Sequence, residues 1–375
     1  MEVILNDSQR MLVDASRRLL EKEWPIERVR DRSMVNDTRT DRRVTADLGW
    51  FSLLVPPELG GGSLSEDPLV DCILVARARG SALHPGNFVG TNVVASALAM
   101  LGPTKPMEAI VGQLISGETG ATWAAGGTGS HTVPTSGVVA RRVVGGAGYV
   151  LSGSKCAVPD ASNSDWILVS ALTDDGRATQ FLLPSGTSGV RIIELDALDI
   201  TRGYADIVFD DVTVSEAALL GGWGEAADLV EYQFQLAAVL TMAEMAGAMS
   251  ADFALALEYA KARIAFGRPI GSFQSIKHLL ADTSLLLEMS DAMLFAAARA
   301  FGRGEDEAAK VVSMAKAYIS DAGIELAHNC FQVFGGVGFT WEHDQHLYLR
   351  RVTTDAMRYG DASFHRERLC QLAGL

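Results

Sequence analysis

Proline placement constrains this chain more than any other feature. Of its 11 prolines, only Pro269 lies beyond Pro184. A proline inside a helix removes a backbone hydrogen bond and clashes with the preceding turn. The second half can therefore build long helices, while the first half is repeatedly interrupted. Residues 224–265, 275–301 and 306–334 are rich in Ala, Leu, Met, Glu and Lys, which are good helix formers. Apolar residues recur at helical spacing, as at Leu279, Leu280, Leu286, Leu287 and Met293. Gly302-Arg303-Gly304 stops one such segment. Residues 222–375 are expected to form a bundle of about four long helices.

The middle of the chain reads differently. Residues 121–220 hold Gly-rich turns and β-branched runs. Arg141–Val144, then Gly145-Gly146-Ala147-Gly148, then Tyr149–Ser152 predicts a hairpin with a four-residue loop. Trp166–Ser170, Thr179–Leu183 and Asp206–Asp210 are further strand candidates. Short strands with closely spaced turns point to a small sandwich or barrel. The first third is helical again, with helices expected over 8–20, 67–79 and 87–101 and an apolar loop over 49–62. The expected division is a helical part over 1–120, a β part over 121–221 and a helical bundle over 222–375.

Charge and cysteine usage narrow the function. Lys and Arg total 32 against 46 Asp and Glu, a formal net charge of −14, with no Lys/Arg-rich run. Nucleic acid is thus a poor partner. No segment is expected to reach the roughly 18 to 20 uncharged apolar residues of a membrane span, and no signal peptide is read at the N-terminus. Cys72, Cys156, Cys330 and Cys370 are scattered without a CxxC pair. They suit buried thiols in a reduced cytoplasm rather than disulfides or a zinc site. His343 and His346 lack a third ligand at a metal-site spacing, so no metal is expected.

Several motifs, in order along the chain, resemble the acyl-CoA dehydrogenase family. Leu48-Gly49-Trp50 with Val55–Gly62, Gly153-Ser154-Lys155 with Asp165-Trp166-Ile167, and Thr201-Arg202-Gly203 with Val208–Val214 are similar to segments of its N-terminal and middle domains. Arg263–Gln274, RIAFGRPIGSFQ, matches R-x-x-F-G-x-x-I-x-x-F-Q, and Gln332–Gly336 matches Q-x-x-G-G. Such a resemblance implies an α+β multi-domain fold: a helical N-domain, a β-barrel or sandwich middle domain and a C-terminal four-helix bundle. It also implies an FAD cofactor. Arg263, with a permanent charge and five donors, would hold its ADP half together with Phe266 and Gln274. Gln332, Gly335 and Gly336 would come from a neighbouring subunit, the glycines allowing close backbone approach. Taken alone, the same glycines read as an ordinary helix C-cap. Ser130 survives from the family's T-E-P-G-A-G-S-D flavin segment. Ala157 stands at an aromatic position and Pro159 at a Thr position.

The resemblance implies α,β-dehydrogenation of an acyl-CoA thioester. An electron-transferring flavoprotein would be the acceptor, and the enzyme a homodimer or tetramer. The reaction needs a carboxylate base with a raised pKa. The family's usual Glu position falls on Tyr359, in Met357–Ala362, and the alternative helix position on Ala237. Glu244, seven residues on from Ala237, shares its helix face. It is read either as the base or as a structural carboxylate paired with a basic side chain across the bundle. Asp361 ranks behind it. The missing base leaves two other readings: a partner subunit of a heteromeric pair, forming a heterotetramer with a homologous chain, or a specialised biosynthetic flavoenzyme.

Overall fold

A computed structural model describes residues 5–30, 38–102, 104–127, 133–143 and 146–375. The N-terminal part holds helices α1 (Asp7–Glu23), α2 (Arg39–Asp47), α3 (Pro68–Ser81), α4 (Phe88–Met100) and α5 (Lys105–Ile115). Asn6 and Gln9 close the start of α1 with a reciprocal capping box, which satisfies two otherwise orphaned backbone donors.

The strands are β1 (Ala121–Ala124), β2 (Val138–Arg142), β3 (Tyr149–Pro159), β4 (Trp166–Thr173), β5 (Ala178–Pro184), β6 (Val190–Leu195), β7 (Tyr204–Val214) and β8 (Leu219–Leu220). They run β6-β7-β3-β2-β4-β5-β8 in one sheet, with β1 against β4. One core of this part gathers Leu151, Val169, Phe181, Ile207 and Phe209. The expected hairpin forms, but its pairing closes at Arg142↔Tyr149. Val143 lies outside the paired strand, so β2 ends earlier than the Arg141–Val144 run predicts. Strand β6 has no counterpart among the expected strands. It pairs along β7 from Val190↔Phe209 to Leu195↔Tyr204, and most of its side chains are exposed although Val190, Ile192, Ile193 and Leu195 are apolar.

The C-terminal part contains α6 (Ala227–Ala262), α7 (Gln274–Gly302), α8 (Ala308–Phe334), α9 (Gln345–Met357) and α10 (Ala362–Ala373). Three long helices and two short ones replace the expected four long ones. The two short helices part at Arg358–Asp361, where Tyr359 has φ +52° and Gly360 φ +92°. A helix cannot run through left-handed residues. By length and composition α6 could cross a membrane, against the expectation that no segment reaches that apolarity; 89% of its most apolar window is buried inside the protein, so that apolarity is core.

Helices α3 and α6 cross at two glycines. A Cβ on Gly80 would lie 1.8 Å from the Glu244 carbonyl oxygen, and one on Gly247 would lie 2.0 Å from that of Arg77. Only glycine permits so close a backbone approach. The crossing brings Arg79 of α3 level with Glu244 of α6.

Candidate active site

Glu244 is 1% exposed. One carboxylate oxygen accepts from Arg79 Nε at 3.3 Å and the other from Arg202 Nη2 at 2.5 Å. Arg202 also donates to Asp355 at 2.7 Å, and Arg358 reaches Asp355 at 3.4 Å. Close by, Arg351 pairs with Asp199 at 3.0 Å. Burial opposes the charge on Arg202, yet Asp355 and Glu244 outweigh it and hold the guanidinium charged well above its usual range. Burial alone would raise the Asp355 carboxyl. Arg202, Arg351 and Arg358 reverse that and hold it low. The network joins α3, the segment before β7, α6 and α9.

This placement corrects the reading of Glu244 as base. Its sequence neighbours are apolar, but its two partners are guanidiniums. Removing its charge would leave Arg79 without a carboxylate and Arg202 with Asp355 alone, at a cost of several kcal/mol. Nor does it line the cavity between the sheet and the C-terminal helices. It is a carboxylate paired with basic side chains, as in the alternative reading, but these come from α3 and the segment before β7 rather than from across the bundle.

A cavity of about 920 Å³ lies between the sheet and the C-terminal helices. Trp123, Cys156 and Ala157 line the sheet side, and Thr353, Arg358 and Tyr359 the helix side. Leu195, Ala197 and Leu198 of the β6–β7 connection also face it. Ala157 has φ +49°. A backbone in that region is costly for a residue with a Cβ, and its amide is held by Asp206 at 2.9 Å. Trp123 is fully buried and donates from Nε1 to Ser170 Oγ at 3.0 Å. Arg358 Nη2 donates to the Tyr359 hydroxyl at 3.2 Å.

Among the described residues, the carboxylates lining this cavity are Asp196 and Asp361. Asp361 Oδ1 accepts from the Phe364 N–H at 2.7 Å and caps α10. Among the described residues its second oxygen has no such partner. Asp361 therefore faces the cavity, and Glu244 does not, which inverts the order expected from the sequence.

The residues expected to hold the ADP half of FAD sit elsewhere, at one end of the helical bundle. Arg263 caps α6 and is exposed. The next residues form a two-residue-strand hairpin, Ala265↔Arg268 and Ile264↔Pro269, with Phe266 at φ +52° and 95% exposed. Gln274 opens α7 on the surface. Gln332 is exposed near the end of α8, and Gly335 has φ +59°. Tyr259, one turn before Arg263, packs on Phe334 with ring centroids 4.9 Å apart. The two motifs thus share an end of the bundle, but no hydrogen bond joins their side chains among the described residues. A Cβ on Gly335 or Gly336 would meet nothing within 4 Å. Crowding within this chain therefore does not demand glycine at 336. An exposed arginine, two glycines facing open space and a bare phenylalanine suit a dinucleotide and a second chain. Ser130 lies outside the described residues. No cluster of potential metal ligands occurs among the described residues.

Comparison with known proteins gives the family and the fold. The family "Acyl-CoA dehydrogenase, N-terminal domain" matches residues 6–118, and "Acyl-CoA dehydrogenase, C-terminal domain" matches residues 226–371. Acyl-CoA dehydrogenase FadE34 of Mycobacterium tuberculosis is 35% identical over 82% of this chain, which spans only 38% of that protein's length. Acyl-CoA dehydrogenase IpdE2 of Mycolicibacterium smegmatis is 26% identical over 95% of this chain and 96% of its own. The structure of butyryl-CoA dehydrogenase from Megasphaera elsdenii superposes with a TM-score of 0.90, at 22% identity and full coverage of both chains. A ChsE4-ChsE5 complex from Mycobacterium tuberculosis does so with a TM-score of 0.89, at 25% identity over 100% of this chain and 99% of that one. The fold and the matched domains define a multi-domain flavoprotein of the dehydrogenase type. The chain belongs to the acyl-CoA dehydrogenase family, and with it to the FAD-dependent oxidoreductases that act on CH–CH bonds.

Proposed function

We propose that this chain oxidises an acyl-CoA thioester to its 2-enoyl form, in an assembly where a second chain completes the FAD site. The observation that carries the reading is the cavity between Ala157 and the Arg358–Asp361 turn, which places a carboxylate and a guanidinium on one wall. Its size suits a substrate's reacting end. Arg263, Phe266 and Gln274 of one chain, with Gln332, Gly335 and Gly336 of another, would hold the ADP half. FAD, when bound, supplies the hydride acceptor. Asp361 takes the α-proton through the oxygen that does not cap α10. Arg358, a permanent cation on the same wall, favours the negative charge that develops on the thioester oxygen. An electron-transferring flavoprotein is the acceptor that fits this chemistry.

The test is anaerobic mixing of the FAD-loaded protein with a panel of acyl-CoAs, following flavin bleaching. Wild type should bleach, and Asp361→Asn should slow the process by about 10²–10⁴-fold, the usual effect of losing a general base. Equal rates would remove Asp361 from the mechanism.

One observation favours a second reading. The cavity's carboxylates are short or exposed, and a structural relative is a complex of two differently named chains, ChsE4 and ChsE5. On this reading a homologous partner brings the base, and this chain forms part of a heterotetramer. Co-expression decides: bleaching that appears only with a homologous partner supports it.

A further inference from the structure

We propose that Lys316 is the positioning residue for the Arg358–Asp361 turn, holding it through the end of helix α9 so that Tyr359 and Asp361 face the cavity. Lys316 is 0% exposed. Its Nζ donates to the Ala356 carbonyl at 2.9 Å, to that of Asp355 at 3.2 Å and to Ser320 Oγ at 2.9 Å. Ser320 Oγ in turn donates to the Ala356 carbonyl at 3.2 Å. All three ammonium donors are spent. Two of them go to last-turn carbonyls of α9, which no intrahelical N–H can reach, and a cation there suits the helix dipole.

The chain just beyond that helix end is held as closely. His365 Nε2 donates to the Tyr359 carbonyl at 2.8 Å, and burial pushes that imidazole down to about 4, so it is neutral. A Cβ on Gly360 would lie 2.4 Å from Phe364 and 2.8 Å from His365. The turn's downstream end is thus fixed by packing, and its upstream end by the Lys316 ammonium together with the Ser320 hydroxyl.

That ammonium sits among opposed charges. Asp355 attracts it, but Arg202 and Arg358 share Asp355. Arg358 repels it, Asp361 attracts it, and burial dominates, pushing Lys316 down to about 7. When the proton leaves, two N–H donors face three acceptors and the helix end loses its cation. The turn's placement is therefore expected to follow pH near neutrality. The consequence for turnover rests on the function proposed above; the structural effect does not.

The experiment uses the full-length, FAD-loaded protein labelled with 3-fluorotyrosine, the Tyr359 line being assigned with Tyr359→Phe. In wild type that 19F line should shift with a midpoint near pH 7, and in Lys316→Met it should stay fixed. If Lys316→Met does not fold, Ser320→Ala keeps the charge, removes one acceptor and should lower the midpoint. A wild-type line that does not move, or one that titrates identically in either variant, overturns the positioning role. The pH limb of kcat should follow the same midpoint, with KM for the acyl-CoA moving less. A titrating line without bleaching by any acyl-CoA would leave the positioning role standing and defeat the function reading alone.

Discussion

The indole of Trp123 lies flat on the phenol ring of Tyr359, with 5.9 Å between centroids and 10° between planes. One ring belongs to the first strand of the sheet and the other to the turn between the last two helices. The stack closes the inner wall of the cavity where the family's usual Glu position falls. It also accounts for a tyrosine there by ring packing alone, without proton chemistry. Tyr359→Phe keeps the ring and should leave flavin bleaching within about tenfold of wild type, below the usual effect of removing a general base. Stopped-flow rates of the two proteins check this, and a larger loss would give the hydroxyl a chemical role.

Glu244→Gln should unfold more easily by about 3–5 kcal/mol, because it leaves two buried guanidiniums short of their counter-charge. Urea unfolding measures the difference. Below its melting temperature the variant should bleach at close to the wild-type rate. A loss beyond about 10²-fold in folded protein would return Glu244 to the mechanism as a base.

Lys155 predicts a pH dependence of stability. It is fully buried, and its Nζ donates to the Pro134 and Ser136 carbonyls at 2.7 Å each. Burial pushes it from 10.5 down to about 7. Between those values the unfolded chain binds the proton and the folded one does not, so this group's contribution to stability rises with pH across that window and is flat below it. Relative to Lys155→Met, wild type should gain up to about 1.4 kcal/mol per pH unit. Paired urea titrations at pH values inside the window would show it. Parallel curves would contradict the sign.

Arg263→Ala should lose FAD on dialysis while its melting temperature in the cofactor-free state stays close to wild type, because the side chain is exposed and makes no hydrogen bond among the described residues. A charge-assisted bond to phosphate is roughly twice as strong as a neutral one. The ratio of flavin to protein absorbance is the readout. Full occupancy after dialysis would overturn the assignment.

The parts legible in the sequence are those whose causes are local. Helices α6, α7 and α8 follow from composition and the scarcity of proline. The Arg263 and Gln332 motifs are contiguous, and they sit at helix ends because the chain must turn there. The sequence leaves Glu244 open between base and structural carboxylate because its environment is not local. Arg79 lies 165 residues away and Arg202 42, and an apolar stretch of helix says nothing of guanidiniums arriving from elsewhere. Gly80 and Gly247 are the available signal: two glycines in otherwise favourable helices mark a close crossing. Lys316, in an alanine-rich stretch of α8, reads as an ordinary surface residue until α9 is seen to end against it.

That crossing limits how the protein can move. Where Gly80 and Gly247 meet, the helices touch backbone to backbone. Packed helices slide by letting interleaved side chains change rotamer, and here no such layer exists. Helices α3 and α6 are pinned at that point like the two blades of riveted scissors. Neither helix lines the cavity, so any widening to admit a bulky acyl group falls to the cavity's own walls: α9 and the turn after it on one side, and Leu195, Ala197 and Leu198 on the other.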